Sequence, residues 1–299
     1  MKTSDGAATD GEVYPFGLQH SAEMIADLSR RAYEYRAQVL RMVYGRKSGH
    51  IGGAFSIAEI LCCLYFHQLR LDPAYPEWAD RDRLVFSKGH ACAMLYTVLA
   101  HRGYFPVAEL ETFRALNSRL QGHPEPAKTP GVEVAAGPLG HGVAIGAGMA
   151  IAARLDKSKR KTYVVLGDGE LNSGVIWEGV MVGAKYGLDN LTVIVDCNGV
   201  QQTGTTQQIM PTEPIADKWA AFNWHVIQIH GHNVAEILAV LDQANEIHGR
   251  PVVVIARTTK GKGVSFMENS PAWHGGVPNS DQFQAALAEL EGGAKQWRA

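Results

Sequence analysis

Asp168 and Asn198 are the residues of this chain whose types and spacing first suggest chemistry. Asp168 stands in VVLGDGELNSGVIWEG and Asn198 in IVDCNGV, thirty residues apart and each just after an apolar run. One strand-helix-strand crossover consumes about that length, so both side chains are expected side by side at one edge of a sheet. Mg²⁺ takes oxygen ligands in a near-octahedral array and needs only one or two protein groups when phosphate oxygens and water complete the shell. The carboxylate of Asp168, the amide oxygen of Asn198 and a main-chain carbonyl at Val200 meet that need, for Mg²⁺ or another divalent cation. Gly167 and Gly169 let a phosphate approach the backbone. A helix starting near Leu171 would offer it N–H donors and a positive dipole end. A Gly-Asp-Gly triplet alone is more often a plain turn; the apolar run before it and the Asp-x-Asn ending the next run are what point to a metal-bound diphosphate.

Four histidines form a second set: His50 in SGHIGGAFS, His90 in RDRLVFSKGHA, His123 in GHPE and His274 in AWHGGVP. Any one of them taken singly is more often a hydrogen-bonded structural residue. Four in glycine-flanked turns at element boundaries suggest a place where backbone and ligand come close. Imidazole, with an ordinary pKa of about 6.5, suits proton transfer near neutral pH.

The elements that must position these groups read clearly from Gly142 onward. A small-residue helix, GVAIGAGMAIAARL, precedes an apolar run at 162–166, a helix over 171–186, a run at 191–196, a third at 224–229, a helix over 234–247 and a fourth run at 251–257. Short apolar runs alternating with helices of 10 to 15 residues predict parallel strands covered on both faces. The fold class is therefore α/β, a doubly wound, mostly parallel sheet with helices on both faces, whose ligands bind beyond the carboxyl ends of the strands. Upstream, Ser21 caps a helix over 21–47, and a second helix over 56–69 carries a capping box at Ser56 and Glu59. A short strand at 83–86, a helix over 90–102 and a Pro- and Gly-rich loop through 122–140 follow. Long ordered loops of that kind are more often functional than idle. A last helix is predicted over 281–290. A dinucleotide-binding reading fails, because the glycine cluster GHGVAIGAG follows a loop instead of a strand. Residues 1–20 read as an N-terminal arm and 21–299 as one domain.

Composition narrows the partners. The 28 Lys and Arg against 30 Asp and Glu leave a formal charge of −2, with no block of like charge, so neither nucleic acid nor a membrane surface is expected. Cys62, Cys63, Cys92 and Cys197 form no Cys-x-x-Cys pair and sit in apolar stretches, as reduced thiols of a cytoplasmic protein would. The first twenty residues lack the basic start and apolar run of a signal peptide, and no apolar stretch approaches the roughly 18 residues that span a bilayer.

Together these motifs resemble the transketolase family. The resemblance rests on GDG followed by Asn, on the four histidine segments and on PGVEVAAGPLGHG at 130–142, in the family's order over roughly residues 45–280. It implies a thiamine-diphosphate-binding fold, here the diphosphate-binding domain, with thiamine diphosphate and Mg²⁺ as cofactors. The implied reaction moves a two-carbon ketol unit from a ketose, expected to be phosphorylated, to an aldose. By the same resemblance His90 and His274 contact the diphosphate together with Gly167, Gly169 and Asn198, and His50 and His274 shuttle protons. His123 binds the donor's C1 hydroxyl, Leu139 packs on the thiazolium, Gly137 lies near the pyrimidine, and KGKGVSFMEN at 260–269 closes over the site. Two positions depart from the family pattern. His141 stands where full-length transketolases usually have Gln, and Ser173 where an acid is common, while Glu178 is kept. Those acids link the two active sites of the family's dimer, and Ser173 takes one of them out of that coupling. The carboxylate facing the aminopyrimidine comes, in the family, from a second domain. A heterotetramer with a separate C-terminal, pyrimidine-binding transketolase subunit is therefore expected. Two other readings are a decarboxylating subunit of a 2-oxo acid dehydrogenase, which the four histidines oppose, and a non-catalytic thiamine-diphosphate-binding protein, which would need no partner.

Overall fold

The computed structural model describes residues 20–298; all of the arm expected over 1–20 except His20 lies outside them. Five parallel strands form the central sheet: β1 (Arg83–Phe86), β2 (Thr162–Gly167), β3 (Leu191–Cys197), β6 (His225–His230) and β7 (Val252–Arg257), in the order β1-β2-β3-β7-β6. A small antiparallel hairpin, β4 (Val200–Gln201) with β5 (Gly204–Thr205), projects from the end of β3. Period-2 alternation sends successive side chains to opposite faces. Tyr163, Val165, Ile194, Val252 and Val254 enter one core, and Val164, Leu166, Val193, Val195, Val253 and Ile255 the other. Helices α1 (Ala22–Arg46), α2 (Ile51–Ser56), α3 (Ala58–Cys63), α4 (Cys92–Arg102) and α9 (Val234–Glu246) cover the first face. The second is covered by α5 (Gly142–Leu155), α6 (Gly174–Lys185) and α8 (Ile215–Ala221). A short α7 (Thr206–Ile209) follows the hairpin, and α10 (Ser280–Lys295) packs on α1. The chain steps from β2 to β3 through α6 and from β6 back to β7 through α9. Right-handed crossovers taken in opposite directions must lie on opposite faces, and the order reverses beside β3, where a ligand crevice opens.

The predicted strands all form, and Ser21 caps α1 by accepting the Met24 N–H at 3.1 Å. Two local expectations are corrected. The helix predicted over 56–69 begins earlier, at Ile51, breaks at Ile57 and ends in a π-helical turn over Leu64–Gln68. The Ser56 and Glu59 capping box is absent. Ser56 Oγ instead donates to Asp196 at 2.6 Å, and Glu59 pairs with the buried Arg36 at 2.5 Å; burial of both acids makes tertiary partners worth more than a helix cap. The helix expected to start near Leu171 starts at Gly174, after a 3₁₀ turn over Asp168–Asn172. Glu170 tightens that turn by accepting the Gly167 N–H at 2.9 Å.

Candidate active site

At the carboxyl end of β2 and β3, a cavity of about 510 Å³ opens over the sheet edge, a size usual for small-ligand sites. Every site residue predicted from sequence lines it: His50, His90, His123, His274, Gly137, Leu139, Gly167, Asp168, Gly169, Asn198 and Val200. The parallel register explains the convergence. Gly167 pairs with Asp196, so the residues that follow each leave the sheet at the same height. Gly199 takes φ +73°, the left-handed turn that folds the hairpin back over the strand end.

Asp168 is 2% exposed. Its Oδ1 accepts the Gly169 N–H at 2.9 Å and its Oδ2 the Gly199 N–H at 2.7 Å. Burial, with Asp196 close by, pushes its pKa up to about 6. Asn198 Oδ1 accepts the Val200 N–H at 3.2 Å, while its Nδ2 donates to Asp196 at 3.1 Å. The Val200 carbonyl accepts from the ammonium of Lys260 at 3.0 Å. This set fits a hard cation. A buried carboxylate with a raised pKa is short of positive charge, and the Val200 carbonyl already faces a cationic group, which a divalent ion would displace.

His50, His90 and His274 form a triangle of rings with centroids 5.2 to 5.4 Å apart. His50 stands at the start of α2 and His90 in the turn before α4, while His274 follows a 3₁₀ turn near the end of the chain. Gly89, next to His90, lets the 122–140 loop pack against this turn, since a Cβ there would lie 2.3 Å from the Ala136 carbonyl. Burial lowers all three histidines. His90 falls to about 2, with Lys88 adding to the effect, and His50 and His274 to about 4, with Arg114 and Lys260 respectively as the next causes. His123 is exposed at the mouth and is lowered by burial and Arg114. The triangle is therefore neutral at pH 7. Lys260 donates to His274 Nδ1 at 2.9 Å, which leaves the proton of the neutral ring on Nε2. His50 Nδ1 is buried without a hydrogen-bond partner.

Of four polar residues below this rim, Lys88, Glu170 and Lys260 were given no role from sequence, and Asp196 entered only as the acid of the Asp-x-Asn that marks the strand end. Lys88 donates to Asp196 and, at 2.9 Å, to the Gly53 carbonyl. Asp196 is fully buried. Burial works to raise its pKa, but Lys88, Ser56 and Thr258 hold it below the ordinary carboxylate value. Glu170 accepts from Ser87 at 2.6 Å and from the Gly140 N–H at 2.9 Å, tying the strand end of β1 and the 122–140 loop to the turn after β2. Lys260 is lowered to about 8, by burial and by Lys88. The signals were slight: Lys88 sits two residues before His90, and a lysine in a loop or an acid closing an apolar run is common. Of the two family departures, His141 is exposed, and Ser173 lies against Gly140, where a Cβ would be 2.5 Å from its Oγ. Glu178 is exposed on α6, away from the cavity.

The strand ends of this α/β domain gather buried carboxylates, ammonium groups and neutral imidazoles around one cavity. The family described as "Transketolase, thiamine diphosphate binding domain" matches residues 29–292. The chain belongs to the transketolase family. It is 41% identical to an apulose-4-phosphate transketolase subunit of Phocaeicola vulgatus, over 89% of this chain and 94% of that one. It is also 41% identical to the 6-deoxy-6-sulfo-D-fructose transketolase subunit SqwG of a Clostridium species, over 90% and 98%. The crystal structure of transketolase from Campylobacter jejuni superposes with a TM-score of 0.83 at 32% identity. The match covers 91% of this chain and 46% of that one, so the chain spans about half of the full-length enzyme's length. No helix among the described residues is long and apolar enough to cross a membrane.

Proposed function

We propose that this chain is the diphosphate-binding subunit of a two-chain transketolase, with residues 21–299 as the binding domain, moving a two-carbon ketol unit from a ketose to an aldose. The observation that carries the reading is the gathering of Asp168, Asn198, Val200 and the histidine triangle around one cavity, in a chain that covers nearly the whole of relatives named as transketolase subunits. The 2-oxo acid dehydrogenase and non-catalytic readings gain no comparable support.

Asp168, Asn198 and the Val200 carbonyl would hold Mg²⁺, with Lys260 released to the diphosphate. His90 and His274 would donate to the diphosphate oxygens, and Gly167 and Gly169 let those oxygens approach the backbone. When bound, thiamine diphosphate supplies the nucleophilic thiazolium carbon that allows a ketose to be split between C2 and C3. Leu139, 45% exposed at the cavity mouth, offers an apolar rest for that ring, and Gly137 leaves room near the pyrimidine. His50 and His274, neutral and therefore able to accept a proton at pH 7, move protons at the reacting oxygens. His123 at the rim binds the donor's C1 hydroxyl.

The partner is a pyrimidine-domain chain, in a heterotetramer with two copies of each polypeptide. Leu155, Met181 and Tyr186 on and just beyond α5 and α6 are at least half exposed, and apolar side chains gathered on one surface suit a protein interface. Both named relatives act on ketoses with a terminal anionic group, phosphate or sulfonate, and the same class is proposed as donor here. Four buried, unbridged thiols suit a reducing, cytoplasmic setting. Calorimetry of thiamine diphosphate binding with and without Mg²⁺ tests the cofactor assignment. Binding that requires the metal supports it, and indifference to the metal overturns it.

A further inference from the structure

A second group of ligating side chains lies far from the cavity, toward the amino ends of the strands. His20 precedes α1, His67 stands in the π-helical turn after α3, and Asp242 is on α9. Gln68, beside His67, donates to Tyr163 Oη near the start of β2 at 2.7 Å, which fixes this turn at the end of the sheet away from Asp168. His20 Nε2 lies 2.9 Å from Asp242 Oδ2 and His67 Nε2 3.4 Å from Asp242 Oδ1. The two imidazole rings meet nearly at right angles, with centroids 4.8 Å apart. Among the described residues this is the one group of three such side chains whose ligand atoms all lie within 4.8 Å of one another.

Two observations separate this group from an ordinary histidine-aspartate ion pair. The buried His20 Nε2 has no hydrogen-bond partner although a carboxylate oxygen lies 2.9 Å away. The two nitrogen-to-carboxylate spacings, 2.9 and 3.4 Å to different oxygens, are of the size found in a coordination shell, and one ligand atom from each of the three side chains falls within 4.8 Å of the others. Ligand atoms about 2.1 Å from a zinc-class ion stand about 3.0 to 3.4 Å from one another in octahedral to tetrahedral arrangements.

We propose that His20, His67 and Asp242 form a binding site for a divalent transition metal of the zinc class, with water completing the shell. Two imidazoles and one carboxylate favour Zn²⁺, Co²⁺ or Ni²⁺ over Mg²⁺, which takes oxygen ligands. The site is thus chemically distinct from the Asp168 cluster and does not depend on the transketolase reading. Its role is a clip, since one ion would fasten the segment entering α1, the turn after α3 and the outer helix α9.

The test titrates the metal-stripped full chain with Co²⁺ in the presence of excess Mg²⁺ and follows the visible absorption that nitrogen-ligated Co²⁺ develops. One saturable equivalent is expected, displaced by Zn²⁺, lost in His67→Ala and Asp242→Asn, and retained in His274→Ala, which removes an imidazole from the cavity. The absence of a saturable band, or a band lost in His274→Ala and kept in His67→Ala, overturns the proposal. His67→Gln, confirmed folded by circular dichroism, guards against misfolding: Zn²⁺ should raise the Tm of the unaltered chain and not of this variant. Equal shifts in both also overturn the proposal.

Discussion

Asp168 illustrates how one side chain can be poor for the empty fold and good for a ligand. Its carboxyl group ionises near 6 where an ordinary aspartate does so near 3.8, so without a cation the fold loses stability as pH rises from about 3.8 to 6 and regains it below that window. A bound divalent ion reverses the sign, because it favours the charged form. Mg²⁺-dependent cofactor affinity should therefore fall as pH drops below about 6, with proton release on binding, measurable by calorimetry in buffers of different ionisation heats. Asp168→Ala should abolish the metal dependence outright and Asn198→Ala weaken it; unchanged affinity in the first would remove Asp168 from the site. The histidines divide by position. His90, the most strongly lowered of the triangle, should matter chiefly for cofactor affinity. His50→Ala should lower turnover by about 10² to 10⁴ with affinity kept. His274→Ala should do both, and His123→Ala should raise the donor's KM. Steady-state kinetics beside cofactor titration separates these outcomes, and full turnover in His50→Ala would end its proton-transfer role.

At the scale of elements, the same rim depends on packing that the sequence conceals. The carboxylate of Glu59 on α3 pairs with Arg36 of α1 and receives the Nδ1 proton of His232, whose Nε2 accepts the Thr259 N–H at 2.8 Å. Thr259 precedes Lys260, so a buried ion pair between two helices helps place a lysine of the cavity. Arg36 is fully buried, and removing a buried charge's partner costs about 3 to 5 kcal/mol. Glu59→Gln should lower stability by about that amount in urea unfolding, and a loss below about 1 kcal/mol would show that the pair is not what fastens α1 to α3. Legibility follows the same line. Asp168, Asn198 and the histidines were readable because glycines and period changes mark strand ends, and strand ends are where such sheets bind ligands. The roles of Lys88, Glu170 and Lys260 were not, and Asp196 was read as a strand-end marker without its pairing to Lys88, since their partners lie more than 25 residues away in sequence for Lys88, Asp196 and Lys260, and Glu170 reaches Ser87 over 83. Ser56 and Glu59 were misread as a cap for the same reason: a local pattern matched while tertiary partners took both side chains.

For the whole molecule, the cavity opens beside the exposed Leu139, and the groups proposed to hold the metal and the diphosphate, Asp168, Asn198, the Val200 carbonyl, His90 and His274, all line it. No carboxylate among the described residues lines the cavity besides Asp168 and Glu170. The first is committed to Gly169 and Gly199, and the second to Ser87, Gly140 and Gly167. Neither is available to activate an aminopyrimidine. On the proposed reading a partner chain supplies that acid, and the exposed Leu155, Met181 and Tyr186 on and just beyond α5 and α6 are the apolar side chains proposed for its contact. Ketol transfer is therefore expected only when this chain is mixed with its pyrimidine-domain partner, and its onset should track formation of a species with two copies of each chain in sedimentation velocity. A panel of ketoses bearing terminal phosphate or sulfonate, assayed with the mixture, then identifies the donor. Transfer by the rigorously purified single chain at the rate of the mixture would refute the dependence, as would an active species containing no second polypeptide.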